Sequence, residues 1–246
     1  MATPARLVLR YVIRQMKLCS AGAIAFLIVS MSSTGWADTV QDWQTWTKIT
    51  ATGRLTFIHP GLDNFRYWLE GQARFGNDTS TLTQGLVRPG LGYAVNDKAS
   101  LWLGYAYFPT DPFTSEAYNE QRLWEQFLWA QPTDFGKFSF RNRLEQRFRP
   151  AGSEVGWRFR QMYALSYPLS FAPGFSLEVS DEVFVNLNNT DWTVNGFDQN
   201  RAFVGISYHF NQPVATEIGY MNRYIRETEA PNKMEHILSL SLSLHY

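Results

Sequence analysis

Alternate positions between 137 and 149 read Lys137, Ser139, Arg141, Arg143, Glu145, Arg147 and Arg149, while those between them read Phe138, Phe140, Asn142, Leu144, Gln146 and Phe148. Residues two apart share one face of an extended strand, so this spacing masses arginines around a glutamate on one side. Guanidinium groups gathered in this way either pair with carboxylates or hold anions and phosphate-bearing headgroups through forked hydrogen bonds. Candidate partners follow in the chain. Arg158 and Arg160 oppose Trp157, Phe159, Tyr163, Leu165 and Tyr167. Glu178, Ser180, Glu182 and Asn186 oppose Leu177, Val179, Val183, Val185 and Leu187, with Asp181 against the pattern. Arg201 ends the run Asp198-Gln199-Asn200-Arg201. The candidate charge network is therefore Arg141, Arg143, Glu145, Arg147, Arg158, Arg160, Glu178, Glu182 and Arg201.

Catalytic arrangements are harder to find. The four histidines are His59, His209, His236 and His245. Lipid hydrolysis by a barrel needs a His and a Ser within one turn or strand of each other on the lipid side, and none of the four has such a neighbourhood. No His or Asp pair has metal-ligand spacing on an expected loop. No cofactor or metal is expected, and the chain reads as a non-enzyme. Gly85, Gly90, Gly92 and Gly104 read as curvature or close-packing positions rather than a phosphate cradle.

The composition limits the class. Of 246 residues, 16% are aromatic and only 18% charged, with 22 Lys+Arg against 22 Asp+Glu. Without a basic surplus a nucleic-acid partner is not expected. Many aromatics with a slightly negative mean hydropathy suit a wall with one apolar and one polar face rather than a helical membrane protein. At the N-terminus, Arg6, Arg10, Arg14 and Lys17 precede an uncharged apolar stretch from Leu18 to Met31, and small residues follow up to Gly35-Trp36-Ala37. This is the pattern of a signal peptide over residues 1–37, cleaved before Asp38. Met16-Lys17 makes a more ordinary start, so residues 1–15 read as a misassigned upstream extension. Cleavage removes those four basic residues and the single cysteine, Cys19, leaving no disulfide or thiolate site.

From Trp43 onward the apolar period is two. The clearest case is the end of the chain, where His236, Leu238, Leu240, Leu242, Leu244 and Tyr246 alternate with Ser239, Ser241, Ser243 and His245, Ile237 being the exception. Leu238, Leu240, Leu242, Leu244 and Tyr246 resemble the C-terminal signal read by the outer-membrane barrel insertion machinery. Further strands are expected at 43–58, 62–75, 81–95, 99–109, 121–131, 137–149, 157–168, 175–188, 200–210 and 214–226. Their connections alternate short and long, as in a transmembrane barrel. Because single-chain bacterial barrels have even strand numbers, twelve strands are favoured within a range of ten to twelve, residues 38–58 then holding two.

The parity of 137–149 decides which face meets lipid. One Lys or Arg at the midplane of the lipid face costs about 2–4 kcal/mol, so the arginine face must look into the lumen. A soluble barrel with an apolar interior would put Phe, Leu and Val in water. Tyr93, Tyr107, Phe108, Phe138, Phe148, Trp157, Tyr167, Phe175, Tyr208, Phe210 and Tyr246 gather near strand ends, as interfacial girdles do. Expected hairpin registers set Glu145 opposite Arg160 and Arg160 opposite Glu182, a row that braces the wall. Pairing is preferred to anion binding, since side chains fill small barrels.

Three stretches of the second half and two of the first point to one family. They are Phe140–Arg149; Asp181–Asn186 with Phe197–Arg201; Glu217–Asn222; Arg88–Tyr93; and Leu103-Gly104-Tyr105. In order and spacing they resemble bacterial outer-membrane barrels catalogued as domain of unknown function 2490. The resemblance implies a signal peptide and a barrel, and no activity. The expectation is an all-β, antiparallel up-and-down barrel over residues 38–246 in the bacterial outer membrane, in contact with its lipids. It would act as a non-enzymatic narrow pore or structural barrel, with a small solute or lipid as ligand. Two alternatives stay open, an enzyme acting on lipid or lipopolysaccharide and a binding module using loops 110–120 and 188–199.

Overall fold

A computed structural model describes residues 39–246 except 113–115, 151, 212 and 229. The expected leader, including Cys19, lies outside the described residues. Eleven strands form a closed barrel: β1 (Thr39–Arg54), β2 (Phe65–Gly76), β3 (Thr81–Ala94), β4 (Ala99–Thr110), β5 (Tyr118–Thr133), β6 (Gly136–Phe148), β7 (Gly156–Pro168), β8 (Phe175–Asn186), β9 (Gly196–Asn211), β10 (Val214–Ile225) and β11 (Asn232–His245). Each is at least as long as the 9–11 residues or so that cross a bilayer as a tilted strand. Among the described residues no helix is long and apolar enough to cross a membrane.

The favoured twelfth strand is absent from the described residues. Residues 38–58 hold one strand, which ends at Arg54 and passes into two 3-10 turns, Leu55–Phe57 and Pro60–Leu62. The even-number rule assumes that every neighbour is antiparallel. Here the closing seam is parallel. Tyr246 N–H donates to the Thr52 carbonyl at 2.9 Å, and the Arg54 N–H donates to the Tyr246 carbonyl at 3.2 Å. One residue bonded to positions i−1 and i+1 of its neighbour is the parallel ladder, and it lets an odd number of strands close.

At one end lie the connections 55–64, 95–98, Asp134–Phe135 and 169–174, and at the other the short 77–80 and the longer 111–117, 149–155, 187–195 and 226–231. The end carrying Tyr246 is called the near end below and the other the far end. The near end also holds the 3-10 segment.

The hairpin registers differ from expectation by two residues. Glu145 lies opposite Arg158 and Arg143 opposite Arg160, while Arg160 lies opposite Phe184 and Met162 opposite Glu182. The turn residues explain the second slip. Leu169 N–H bonds the Phe175 carbonyl, and Gly174 takes φ +85°, which centres the turn later than the Tyr167–Phe175 pairing assumed. A slip of two keeps every side chain on its face, so the parity is unchanged.

Outward positions form the apolar surface: Leu69, Val87, Leu101, Leu103, Val204, Ile218 and Leu238 are all exposed. Phe108 departs from the expected girdle. It is 1% exposed, inside the lumen beneath the Arg122 guanidinium at 3.6 Å. Inside, Trp102, Trp124, Phe108, Leu86 and Ala106 pack as a cluster with Trp68 against it. Gly92 and Gly104 permit this slab. A Cβ at Gly92 would lie 2.5 Å from the Trp102 ring, and one at Gly104 would lie 2.3 Å from Trp124 and 2.4 Å from the Pro89 carbonyl. The indoles thus lie flat on bare backbone and narrow the lumen.

Candidate functional site

The inward faces of β5 to β9 carry a continuous set of ion pairs. Glu120 accepts from Arg122, Arg147 and Arg149 at 2.6, 2.7 and 3.0 Å. Glu145 meets Arg158 at 2.6 Å, Arg160 at 2.7 Å and Arg122 at 3.6 Å. Glu182 meets Arg141 at 2.6 Å and Arg160 at 2.8 Å. Arg158 reaches on to Asp198 at 3.1 Å. Although Glu145, Arg160 and Glu182 are not directly opposed, they form a row, because a guanidinium spans the diagonal offset that a two-residue slip creates. Most of these groups are buried, Glu145 almost completely, while Arg141, Arg149 and Asp198 are partly exposed. Each glutamate holds two or three arginines, so removing one carboxylate strips several buried guanidiniums of an acceptor at once, at about 3–5 kcal/mol.

Other candidates stand apart. Glu178 touches no arginine among the described residues and accepts instead from the Ser166 and Ser207 hydroxyls, each at 2.7 Å. Arg143 donates to the Gln126 amide oxygen at 2.6 and 3.0 Å and lies 4.7 Å over Trp124. Among the described residues Arg201 joins no ion pair, and its guanidinium lies 4.6 Å over the Phe184 ring. Ile237, the exception in the alternation of β11, is fully buried inside. Leu238, Leu240, Leu242 and Leu244 face outward on β11, and Tyr246 is exposed at its end.

Sequence reasoning missed several lumen groups. On β5, Glu120, Arg122, Trp124 and Gln126 point inward while Gln121, Leu123 and Glu125 point outward. Polar residues on both faces hide that parity. Glu70 and Arg88 form a further buried pair at 3.0 Å, joined by Arg74, which donates to Gln72 and Gln84. The spacing of Arg66, Glu70 and Arg74 on one face of β2 carried that signal. Phe184 had none, since it sits among valines that face the other way.

The ion pairs and indoles divide the lumen into two vestibules. The near one has a volume of about 920 Å³ and is bounded by Gly53, Arg54, Asn96 and Tyr246. The far one, about 590 Å³, is bounded by Asp42, Asn77, Tyr118 and Lys233. Trp46, Arg74, Arg88, Arg160 and Arg201 line both and so mark the waist. The far vestibule has ten Lys and Arg on its lining against five carboxylates, which makes it attractive to anions.

The outward surface has one polar band, in the far half of the strands. The Asn200 amide donates to both Asp181 carboxylate oxygens at 3.0 and 3.1 Å, Gln146 donates to Glu125 at 3.0 Å, and Tyr220 Oη lies 2.6 Å from His236 Nδ1. His236 also stacks on Trp43 at 4.7 Å. Asp181, the residue against the pattern in β8, is thus an outward carboxylate with an amide partner. Among the described residues no group of three His, Cys, Asp or Glu side chains is placed to hold a metal ion.

Comparison with known proteins adds a family. The model of a protein family of unknown function, DUF2490, matches residues 43–235. An uncharacterized protein of Methylorubrum extorquens is 35% identical over 222 residues, covering 89% of this chain and 94% of that protein.

Proposed function

The chain belongs to the DUF2490 family of unknown function, and from that premise we propose that it is a non-enzymatic barrel of the bacterial outer membrane, a narrow passage for small solutes. One observation carries the reading. Arg143, Glu145, Arg158 and Arg160 are buried inside a closed wall whose outside exposes Leu69, Val87, Leu103, Val204 and Leu238. Charges inside and aliphatic side chains outside are what a bilayer requires of a barrel and what water forbids. The two vestibules meeting at a polar, aromatic waist support a constricted passage rather than an apolar ligand cavity. The outward Leu238, Leu240, Leu242, Leu244 and Tyr246 serve as the insertion signal, and residues 1–37 as the export signal.

Reconstitution in planar bilayers tests the passage. Small discrete conductance steps are expected, and a silent bilayer with folded protein inserted would leave only a structural barrel. Protein that stays monodisperse without detergent would remove the membrane assignment altogether. The outward Tyr220–His236 pair with Asn222 beside it is the one feature favouring a second reading, an enzyme acting on lipid or lipopolysaccharide. Mass spectrometry of lipid extracts from a deletion strain tests it, through a lipid species that accumulates or disappears.

A further inference from the structure

Among the described residues, Arg201 is a lumen cation without a carboxylate partner, since the acids around it bond other arginines. Its ladder neighbour on β8 is Glu182, but Glu182 Oε1 already accepts from Arg141 at 2.6 Å and from Arg160 at 2.9 Å. Its ladder neighbour on β10 is Arg223, a like charge directly opposite, an arrangement that destabilises a sheet. Arg201 Nε is buried with no hydrogen-bond partner. Its guanidinium lies 5.1 Å over the Trp46 ring, where Arg74 sits at 3.9 Å and Arg223 at 4.9 Å. Of the three, only Arg223 has a carboxylate partner among the described residues, Glu235. Arg74 is held by the neutral amide oxygens of Gln72 and Gln84.

Three guanidiniums around one indole, with one carboxylate among them, leave two positive charges uncompensated in a confined space. Burying unpaired charge is costly, and the indole face offsets it only in part. An anion would satisfy both charge and donors. Arg201, Arg74 and Trp46 line both vestibules, so a solute from either end meets them. We propose that Arg201, Arg74 and Arg223 around Trp46 form a binding site for a small multivalent oxyanion of the phosphate or sulfate class. Two surplus charges favour a divalent ion over chloride, and the free fork of Arg201 matches a tetrahedral oxyanion. The proposal deepens the solute-passage reading and rests on it.

The test is calorimetric titration of the full-length protein in a zwitterionic detergent with sodium phosphate, sodium sulfate and sodium chloride. Phosphate and sulfate are expected to saturate, chloride not. Arg201→Gln should weaken phosphate on the order of tenfold or more, the loss of a charged hydrogen-bond donor. Arg201→Lys, which keeps the charge and loses the fork, should fall between. Arg54→Gln, at an exposed pair, should change nothing. If Arg201→Gln does not fold, Arg74→Gln carries the same expectation. Failure of the wild-type protein to saturate, or equal affinity in the folded glutamine variant, overturns the site. Since the waist opens on both vestibules, free anion is the expected source. Displacement of phosphate from the wild type by dihexanoyl phosphatidylglycerol would make a lipid headgroup the source of the same chemistry. Arg201-dependent phosphate binding without bilayer conductance would remove the passage and keep the site; conductance without such binding would do the reverse.

Discussion

Gly53 and Tyr246 face each other across a parallel seam, the Tyr246 N–H and C=O bonded to the residues on either side of Gly53. The side chains keep the same register along the seam. Thr52 Oγ1 lies 2.9 Å from His245 Nδ1 on the lumen side, and Trp43 stacks on His236 on the outer side. The two pairs have the same separation in the chain, as parallel strands require. In an antiparallel seam, any register that joined one pair would part the other.

That relationship predicts cross-linking. The single cysteine, Cys19, lies outside residues 39–246, so in a Cys19→Ser background pairs can be introduced cleanly. Thr52→Cys with His245→Cys, and separately Trp43→Cys with His236→Cys, should both form intramolecular disulfides under mild oxidant, visible as a shift on non-reducing gels of unfolded protein. Thr52→Cys with His236→Cys should not. Cross-linking of only one of the two expected pairs would mean a different closure.

Arg160 is the hub of the wall, bonded to Glu145 at 2.7 Å and Glu182 at 2.8 Å. Arg160→Ala leaves both carboxylates short of a cation inside the barrel. The expected loss is about 3–5 kcal/mol of unfolding free energy in detergent, read from denaturant titration. Arg54→Ala breaks a pair whose side chains are 58% and 61% exposed and should cost at most about 1 kcal/mol. Equal effects of the two would show that the inner network does not brace the wall.

Some of this was legible in the sequence, for physical reasons that also mark where it stops. A row of arginines does not fit an outer face that is otherwise apolar, so the alternation of 137–149 sets which way β6 turns, and the charged positions of β7 and β8 do the same for those strands. Register was not legible, because a slip of two residues leaves each side chain on the same face, and only the turns decide it, as the one at Gly174 does for β7 and β8. The inward Trp102, Trp124 and Phe108 were hidden because apolar residues stand on both faces of β4 and β5. A barrel that fills its own lumen has no reason to keep aromatics outside. Eleven strands fall within the expected range of ten to twelve but not on the favoured twelve, because the direction of the closing pair leaves no local pattern in either strand. The orphan state of Arg201 depends on which arginines reach Glu182 first, which is a fact of three strands together.

The indole slab makes its own prediction. A methyl group at Gly104 would press on Trp124 and on the Pro89 carbonyl, and backbone cannot yield as a side-chain tip does. Gly104→Ala should destabilise by about 1–3 kcal/mol, the range of overpacking. Gly71→Ala, where a Cβ meets nothing within 4 Å, should not. Adding Trp124→Ala to Gly104→Ala relieves only the ring contact, so the double variant should lose less than the two single losses together. Strict additivity in the thermal midpoints would mean that the ring and the glycine do not touch.

Asp181 and Glu182 are adjacent in the chain and, by the parity of β8, stand on opposite sides of the wall. Asp181 faces out with Asn200 as its partner, and Glu182 faces in between Arg141 and Arg160. Replacing each with valine asks which solvent lies on which side. Asp181→Val removes a carboxylate from the outer surface and should leave stability in lipid bilayers unchanged or raised, because a carboxylate facing acyl chains is itself a cost. Glu182→Val removes the acceptor of two buried guanidiniums and should cost about 3–5 kcal/mol. The medium separates the membrane reading from a merely structural one. In aqueous buffer the Asp181→Val surface would become stickier and the protein would aggregate sooner, whereas in bilayers it should refold at least as well as the wild type. If Asp181→Val proved the more damaging of the two in bilayers, the inside-out parity on which the barrel's placement in lipid depends would be wrong.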